Sequence, residues 1–326
     1  MVSTDKEYVK IRIDGILDLE EISRGYEMTS EELVEFHNKH CALHELLTLT
    51  LPKYVEYLYI PEKAFKKQES NQLKSTKLDL PNTESTKVYG VIVKFFPKEL
   101  QLHYKIKIKR KQSRVEIIKE KTFVNNQEVD KTVEQIFEKA EQALYPLKVM
   151  IKDNGNIRRI DNVEEITLRW RSEHLPKVRE YYVSEVANEI IRRLDVVLGD
   201  VNKKLDLLFR NIFYKLFFLD VYLSYEQFSK EGILDIYFSG LRREVSYKAE
   251  RIINKQYTSG NKIVLEIKGK EQEDPLNVKS NKGQIDLLYK LHKETREIFS
   301  INGIISTFEK VIEHRIEFQL YELNSQ

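Results

Sequence analysis

The chain has 326 residues and a mass of 38.8 kDa, more than one average domain, and its 41% hydrophobic content is enough for more than one core. Fifty-four basic side chains against 52 acidic ones leave a formal charge of +2, which is not the footprint of a protein built to hold nucleic acid. The single cysteine, Cys41, excludes an intramolecular disulfide, and no apolar run reaches the roughly 18–20 residues of a membrane helix: the longest candidate, Leu207 to Leu223, is broken by Arg210, Asn211, Lys215 and Asp220.

From Lys10 to Phe65 the pattern reads strand, helix, helix, strand. Ile11 and Ile13 lead into an Asp14-Gly15 turn, and Leu19 and Ile22 share one face of a short helix that Gly25 can end. Thr29 or Ser30 can cap a second helix, with Glu31 and Glu32 in its first turn and Leu33 and Phe36 as its buried stripe. Leu58-Tyr59-Ile60-Pro61 closes the segment as a strand. The run Thr29-Ser30-Glu31-Glu32-Leu33, the helix end near Asn38 and the Leu58-to-Pro61 strand together resemble the LysM module, a small glycan-binding unit. The resemblance implies a βααβ fold over about residues 8–65, with a glycan- or partner-binding groove at Asp14, Gly15, Ile16, Leu17 and Asn38. Two departures fall in that groove: the turn reads Asp14-Gly15-Ile16-Leu17 where the family has Gly-Asp-Thr-Leu, and a Leu-rich passage from His40 to Val55 is inserted before the last strand.

The resulting division is a LysM-like domain over 1–65, a polar linker over 66–87, and an α+β domain over 88–326. Beyond the linker, period-two alternation runs through Val91 and Val93, Leu100 to Ile108, and Val115 with Ile117, predicting an antiparallel meander. Lys105 to Lys111 alternates base with apolar residue before turning fully basic, the pattern of a solvated strand face, against a phosphate-binding surface as the competing reading. Val133, Ile136, Phe137, Ala140 and Leu144 predict a helix ahead of Pro146, and Asp153-Asn154-Gly155 predicts a hairpin turn between two short strands. Val163 to Trp170 reads as an amphipathic helix in which Trp170 is a core plug rather than a ligand platform. It opens a helical insert over about 163–222, most strongly periodic from Pro176, expected as a long helical hairpin or one kinked helix. Strands return at 234–238, 245–253, 263–268, 284–291 and 315–323, and are expected to share one sheet with those before the insert.

His37, His40, Cys41 and His44 have the most metal-like spacing, since on a continuous helix they share a face and suit zinc; the alternative is a polar helix end with Cys41 packed inside. Catalytic signatures are missing from the sequence: there is no Gly-x-Ser-x-Gly elbow, no His-Glu-x-x-His and no Gly-rich phosphate loop. The carboxylate pairs Glu20/Glu21, Glu31/Glu32 and Glu164/Glu165 diverge by about 100° on helices and read as solvated faces. Eighteen tyrosines and fifteen phenylalanines could line an apolar cavity, though ordinary core is the plainer reading.

These readings point to a non-enzymatic binding or adaptor protein without a cofactor. The N-terminal sequence has no secretory apolar segment, so a cytoplasmic location is expected. LysM-like modules of that kind resemble those of phage-tail-like, contractile injection machines of the type VI secretion kind, implying protein partners in a larger assembly and incorporation into, or export by, that apparatus. Peptidoglycan or another glycan is the alternative partner, followed by a LysM-targeted effector or an apolar ligand held between sheet and helices.

Overall fold

The computed structural model describes residues 7–13, 18–52, 55–128, 132–199, 205–258, 260–272 and 281–323. They fall into two units, Met1–Lys74 and Ser75–Gln326.

In the first unit, β1 (Tyr8–Arg12) pairs antiparallel with β2 (Tyr57–Pro61), Tyr8 opposite Pro61 and Arg12 opposite Tyr57. Between them lie α1 (Leu19–Gly25), α2 (Ser30–His40) and a 3-10 turn at Leu43–Glu45. Asp18 caps α1 by accepting from the Glu20 amide. Thr29 and Glu32 close a reciprocal capping box on α2, at 3.1 and 2.8 Å, which satisfies two backbone donors that a helix start leaves open. Leu19, Leu33, Leu47, Val55, Leu58 and Ile60 form the core. Composition places residues 66–87 in a linker, but α3 (Glu62–Asn71) runs well into them, because Ala64 and Phe65 pack on that core and carry the polar turns behind them.

The second unit is mixed α and β around one large antiparallel sheet. Its elements are β3 (Ser85–Phe96), β4 (Leu100–Lys111), β5 (Arg114–Lys119), β6 (Phe123–Val124), β7 (Gln127–Glu128), α4 (Thr132–Leu144), β8 (Leu147–Ile151) and β9 (Ile157–Ile160). There follow α5 (Val163–Arg169), a π-helical turn at Trp170–His174, α6 (Leu175–Tyr181), α7 (Glu185–Leu198), α8 (Leu205–Phe209) and α9 (Ile212–Phe217). Six strands end the unit: β10 (Ser229–Phe238), β11 (Arg243–Ile253), β12 (Lys262–Glu271), β13 (Gln284–His292), β14 (Ile298–Glu309) and β15 (Ile312–Leu323).

The strand order is β10-β11-β12-β13-β14-β15-β3-β4-β5-β8-β9, with β6 and β7 off the path. Strands from both sides of the helical segment meet where β15 pairs with β3, Arg315 opposite Phe96 through Leu323 opposite Val88. β14 escapes the period-two reading, as do the two-residue strands β6 and β7. The burial of β14 follows the alternation at Ile298 and Ser300, then slips to Ile301 and Ile305, next to a register shift between Lys290 and Leu291 on β13.

The expected long helical hairpin is replaced by short helices. Val183 is followed by Ser184, which caps α7 by accepting from the Ala187 amide at 3.0 Å, so a break there is stabilised rather than tolerated. Asn211 caps α9 in the same way through the Phe213 amide at 2.9 Å. α9 is then buried on nearly every side, through Ile212, Phe213, Tyr214, Leu216 and Phe217. It meets the apolar sheet face with Phe217 edge-on to Tyr89 at 5.6 Å and Phe213 edge-on to Tyr104 at 6.4 Å.

Buried hydroxyls in this core find carbonyls. Tyr89 donates to Ile298 O, Tyr247 to Ser306 O and Tyr289 to Leu216 O, at 2.7, 2.7 and 2.9 Å. Trp170, fully buried, donates its Nε1–H to Asp195 Oδ1 at 3.0 Å, a core plug with its polar end satisfied.

Candidate functional site

The feature of the first unit that packing does not explain is the passage from Cys41 to Pro52. Its path is set by the end of α2. Asn38 donates from Nδ2 to Leu47 O at 2.9 Å, and its Oδ1 accepts from Leu47 N at 2.8 Å. One amide side chain thereby takes up both backbone groups of a single residue, and Leu47 goes into the core, only 4% exposed. His37, also buried, faces Glu45 O through Nε2 at 2.9 Å and accepts the Tyr59 amide through Nδ1 at 3.2 Å. That pair of partners fixes the neutral tautomer with the proton on Nε2.

With residues 45 and 47 held, their neighbours turn outward. Leu43, Leu46 and Leu49 are 87%, 40% and 60% exposed. A ridge of three leucines therefore stands in water on a backbone tied to α2 and β2. Single exposed apolar residues need no explanation, but three so close together on a held backbone make this passage the candidate contact surface of the first unit.

Of the residues expected to form a glycan groove, Asp14, Gly15, Ile16 and Leu17 lie outside the described residues. Asn38 is described, and its amide is spent on Leu47.

The four zinc-spaced residues are not brought together. α2 ends at His40, and Cys41 is already extended at φ −89° and ψ 168°, so positions 41 and 44 leave the helix face that would have aligned them. Both ring nitrogens of His37 are engaged, and burial lowers its pKa. His40 packs between Phe36 and Tyr8, with ring centroids at 4.5 and 5.0 Å. Cys41 is half-buried with its thiol pKa raised chiefly by desolvation, and His44 is exposed. Among the described residues no group of three or more His, Cys, Asp or Glu side chains is placed to hold a metal ion.

In the second unit the basic run on β4 is a solvated strand face. Lys105 and Lys109 are exposed and Lys107 is half-buried, alternating with buried Ile106 and Ile108. Lys109 pairs with Glu116 at 2.6 Å and Lys111 with Glu84 at 2.8 Å. A recess of about 820 Å³ opens beside them, where Arg159 likewise pairs with Asp161 at 2.8 Å. Even so, the recess lining holds six cations, Lys109, Arg110, Lys111, Arg114, Lys148 and Arg159, against three carboxylates, Glu84, Glu116 and Asp161, so these pairs leave it net positive. Arg110 keeps the burial alternation, buried on the same side as Ile106 and Ile108, and is the one charged residue there. Among the described residues no helix is long and apolar enough to cross a membrane.

The leucine ridge was visible in the sequence only as a Leu-rich insert. Which leucines face out depends on the Asn38 and His37 clamps, and no spacing rule reports those.

No family model matches the chain, and no curated protein matches it in sequence. Among solved structures, one titled for lipid–protein interactions in lipovitellin is similar over 76% of this chain, at 11% identity and a TM-score of 0.42. The chain spans a quarter of the length of that lipovitellin chain.

Proposed function

We propose that this protein is a non-enzymatic adaptor whose N-terminal unit, a LysM-like module, docks on a protein partner through the ridge of Leu43, Leu46 and Leu49. The observation that carries this reading is the combination of exposure and fixation. The three side chains stand in solvent while Asn38 and His37 hold the backbone between them. Burying one leucine side chain contributes about 1.5–3 kcal/mol, and a backbone fixed beforehand avoids part of the ordering cost of association. In this reading the inserted passage, rather than the glycan groove implied by the resemblance, makes the contact. The resemblance to LysM-like modules directs the partner toward a structural subunit of a phage-tail-like injection assembly.

A glycan is the second reading, and one observation favours it. Tyr8, Tyr57 and Tyr59 lie half-exposed on the two-stranded sheet, a face on which a sugar ring could stack. Lys10 already sits over Tyr57 and Tyr59, at 4.4 and 5.3 Å from the ring centroids, and competes for that face.

Sedimentation with purified peptidoglycan and cross-linking to candidate partners, both on the full chain, separate the two. Protein docking requires that the chain stay in the supernatant, and that a cross-linked partner be lost when Leu43, Leu46 and Leu49 are all changed to serine. Cosedimentation that survives the triple serine change and disappears with Tyr57→Ala and Tyr59→Ala would replace this proposal with the glycan reading.

A further inference from the structure

The second unit holds a cavity of about 530 Å³ between α4 and α7 on one side and the apolar sheet face on the other. That volume lies within the roughly 300–1,000 Å³ usual for small-molecule sites. Its walls are apolar: Val93 and Phe95 from β3, Leu102 from β4, Leu144 from α4, and Leu194 and Val197 from α7. One end is not. There Lys119, its side chain only 8% exposed, pairs with Glu141 and lies 4.2 Å from the Tyr104 ring centroid. Desolvation lowers the Lys119 pKa, and Glu141 opposes that shift.

Beyond this ion pair opens a second recess of about 340 Å³, lined by Lys119, Thr122, Glu138 and Glu141 among others, and all four also line the apolar cavity. The two spaces meet end to end, one greasy and one polar. At their junction Thr122 Oγ1 is buried without a hydrogen-bond partner. A buried hydroxyl left unpaired is unfavourable, so the site is short of one hydrogen bond that a bound molecule could complete. Charge fixes the head further. The two linings together contain four cations and four carboxylates, so a head with a net charge gains no field from them.

We infer that this cavity binds a small amphiphile, its apolar chain against Phe95 and Leu194 and its head, rich in hydroxyls and without net charge, beside Thr122 and the Lys119–Glu141 pair. The site is in the second unit and stands independently of the leucine ridge. Phe137, 51% exposed, lines the cavity from α4 and marks its opening to solvent.

The test is displacement of Nile red from the full-length protein by three ten-carbon amphiphiles: monodecanoylglycerol, decanoate and decylamine. The uncharged glyceride is expected to displace the dye at a concentration at least tenfold below either charged compound. Phe137→Arg, on the surface, and Leu194→Trp, in the wall, are each expected to weaken dye binding at least tenfold. Thr122→Val is expected to narrow the preference for the glyceride while the dye still binds. Absence of saturable dye binding to wild type overturns the site. Wild-type binding in a Phe137→Arg protein of unchanged thermal midpoint does the same, and decanoate or decylamine matching the glyceride overturns the head.

Discussion

Replacing Asn38 by alanine separates a groove residue from a structural clamp. In the folded unit its amide donates to Leu47 O and accepts from Leu47 N, at 2.9 and 2.8 Å, across nine residues of chain. Each such bond contributes about 0.5–1.5 kcal/mol net, so Asn38→Ala is expected to cost about 1–3 kcal/mol. For a unit of this size, about 1 kcal/mol moves the melting temperature by roughly 4–8 °C, so the shift is large enough to read. Urea unfolding followed by far-UV circular dichroism gives the free energy, and amide exchange at Leu47 gives the location. Leu47 is expected to lose protection well before Leu33, which lies in the same core and whose amide bonds to Thr29 O. A variant with wild-type stability and unchanged Leu47 exchange would refute the clamp and return Asn38 to the role of a ligand contact.

Three other outcomes follow from the same contacts. His37 is held neutral by burial, which pushes its pKa below the ordinary 6.5 although its bond to the Glu45 carbonyl works the other way. Its contribution is therefore complete above the unfolded pKa and is lost as pH falls from about 6.5 through the folded value; His37→Ala is expected to be less stable at neutral pH and to flatten the pH slope measured by denaturant titration. Asp220 faces Arg251, whose side chain is 7% exposed, at 2.8 Å. Because losing one partner strands a buried charge, Asp220→Ala is expected to cost about 3 kcal/mol in urea unfolding, while Arg251→Met together with Asp220→Ala is expected to recover most of the loss. Trp170→Phe removes part of a fully buried indole together with its bond to Asp195, and is expected to cost at least about 1–3 kcal/mol in the same assay.

The sheet was largely legible in the sequence because period-two alternation survives wherever one strand face is buried. Val91 and Val93, Tyr104 to Ile108, and Val245 to Ile253 show it, and each stands in a strand. β14 was not, because its slip from the Ile298–Ser300 phase to Ile301–Ile305 breaks the alternation that announces a strand. Helical spacing from Val183 to Leu219 was real but overran its boundaries. A period reports which residues share a face, whereas the breaks at Ser184 and Asn211 are made by side chains bonding to backbone two or three residues on.

The sites were less readable than the fold. The zinc-like cluster depended on α2 continuing past His40, and one extended residue, Cys41, removed it. Asn38 and His37 were singled out by type and position, yet both are committed to backbone groups eight to twenty-two residues away. Such long-range pairings leave no local pattern. They also decide which residues of a Leu-rich stretch are core and which are surface, so Leu47 and Leu46, adjacent in sequence, have opposite fates.

The docking claim is tested most directly by calorimetric titration of the cross-linked partner, once purified, with the full chain and with its Leu43→Ser, Leu46→Ser, Leu49→Ser variant. If the three leucines anchor the contact, the variant loses at least about 3 kcal/mol, a weakening of more than a hundredfold, with its unfolding free energy within about 1 kcal/mol of wild type because these side chains are exposed before binding. Equal affinity of the two proteins would contradict it.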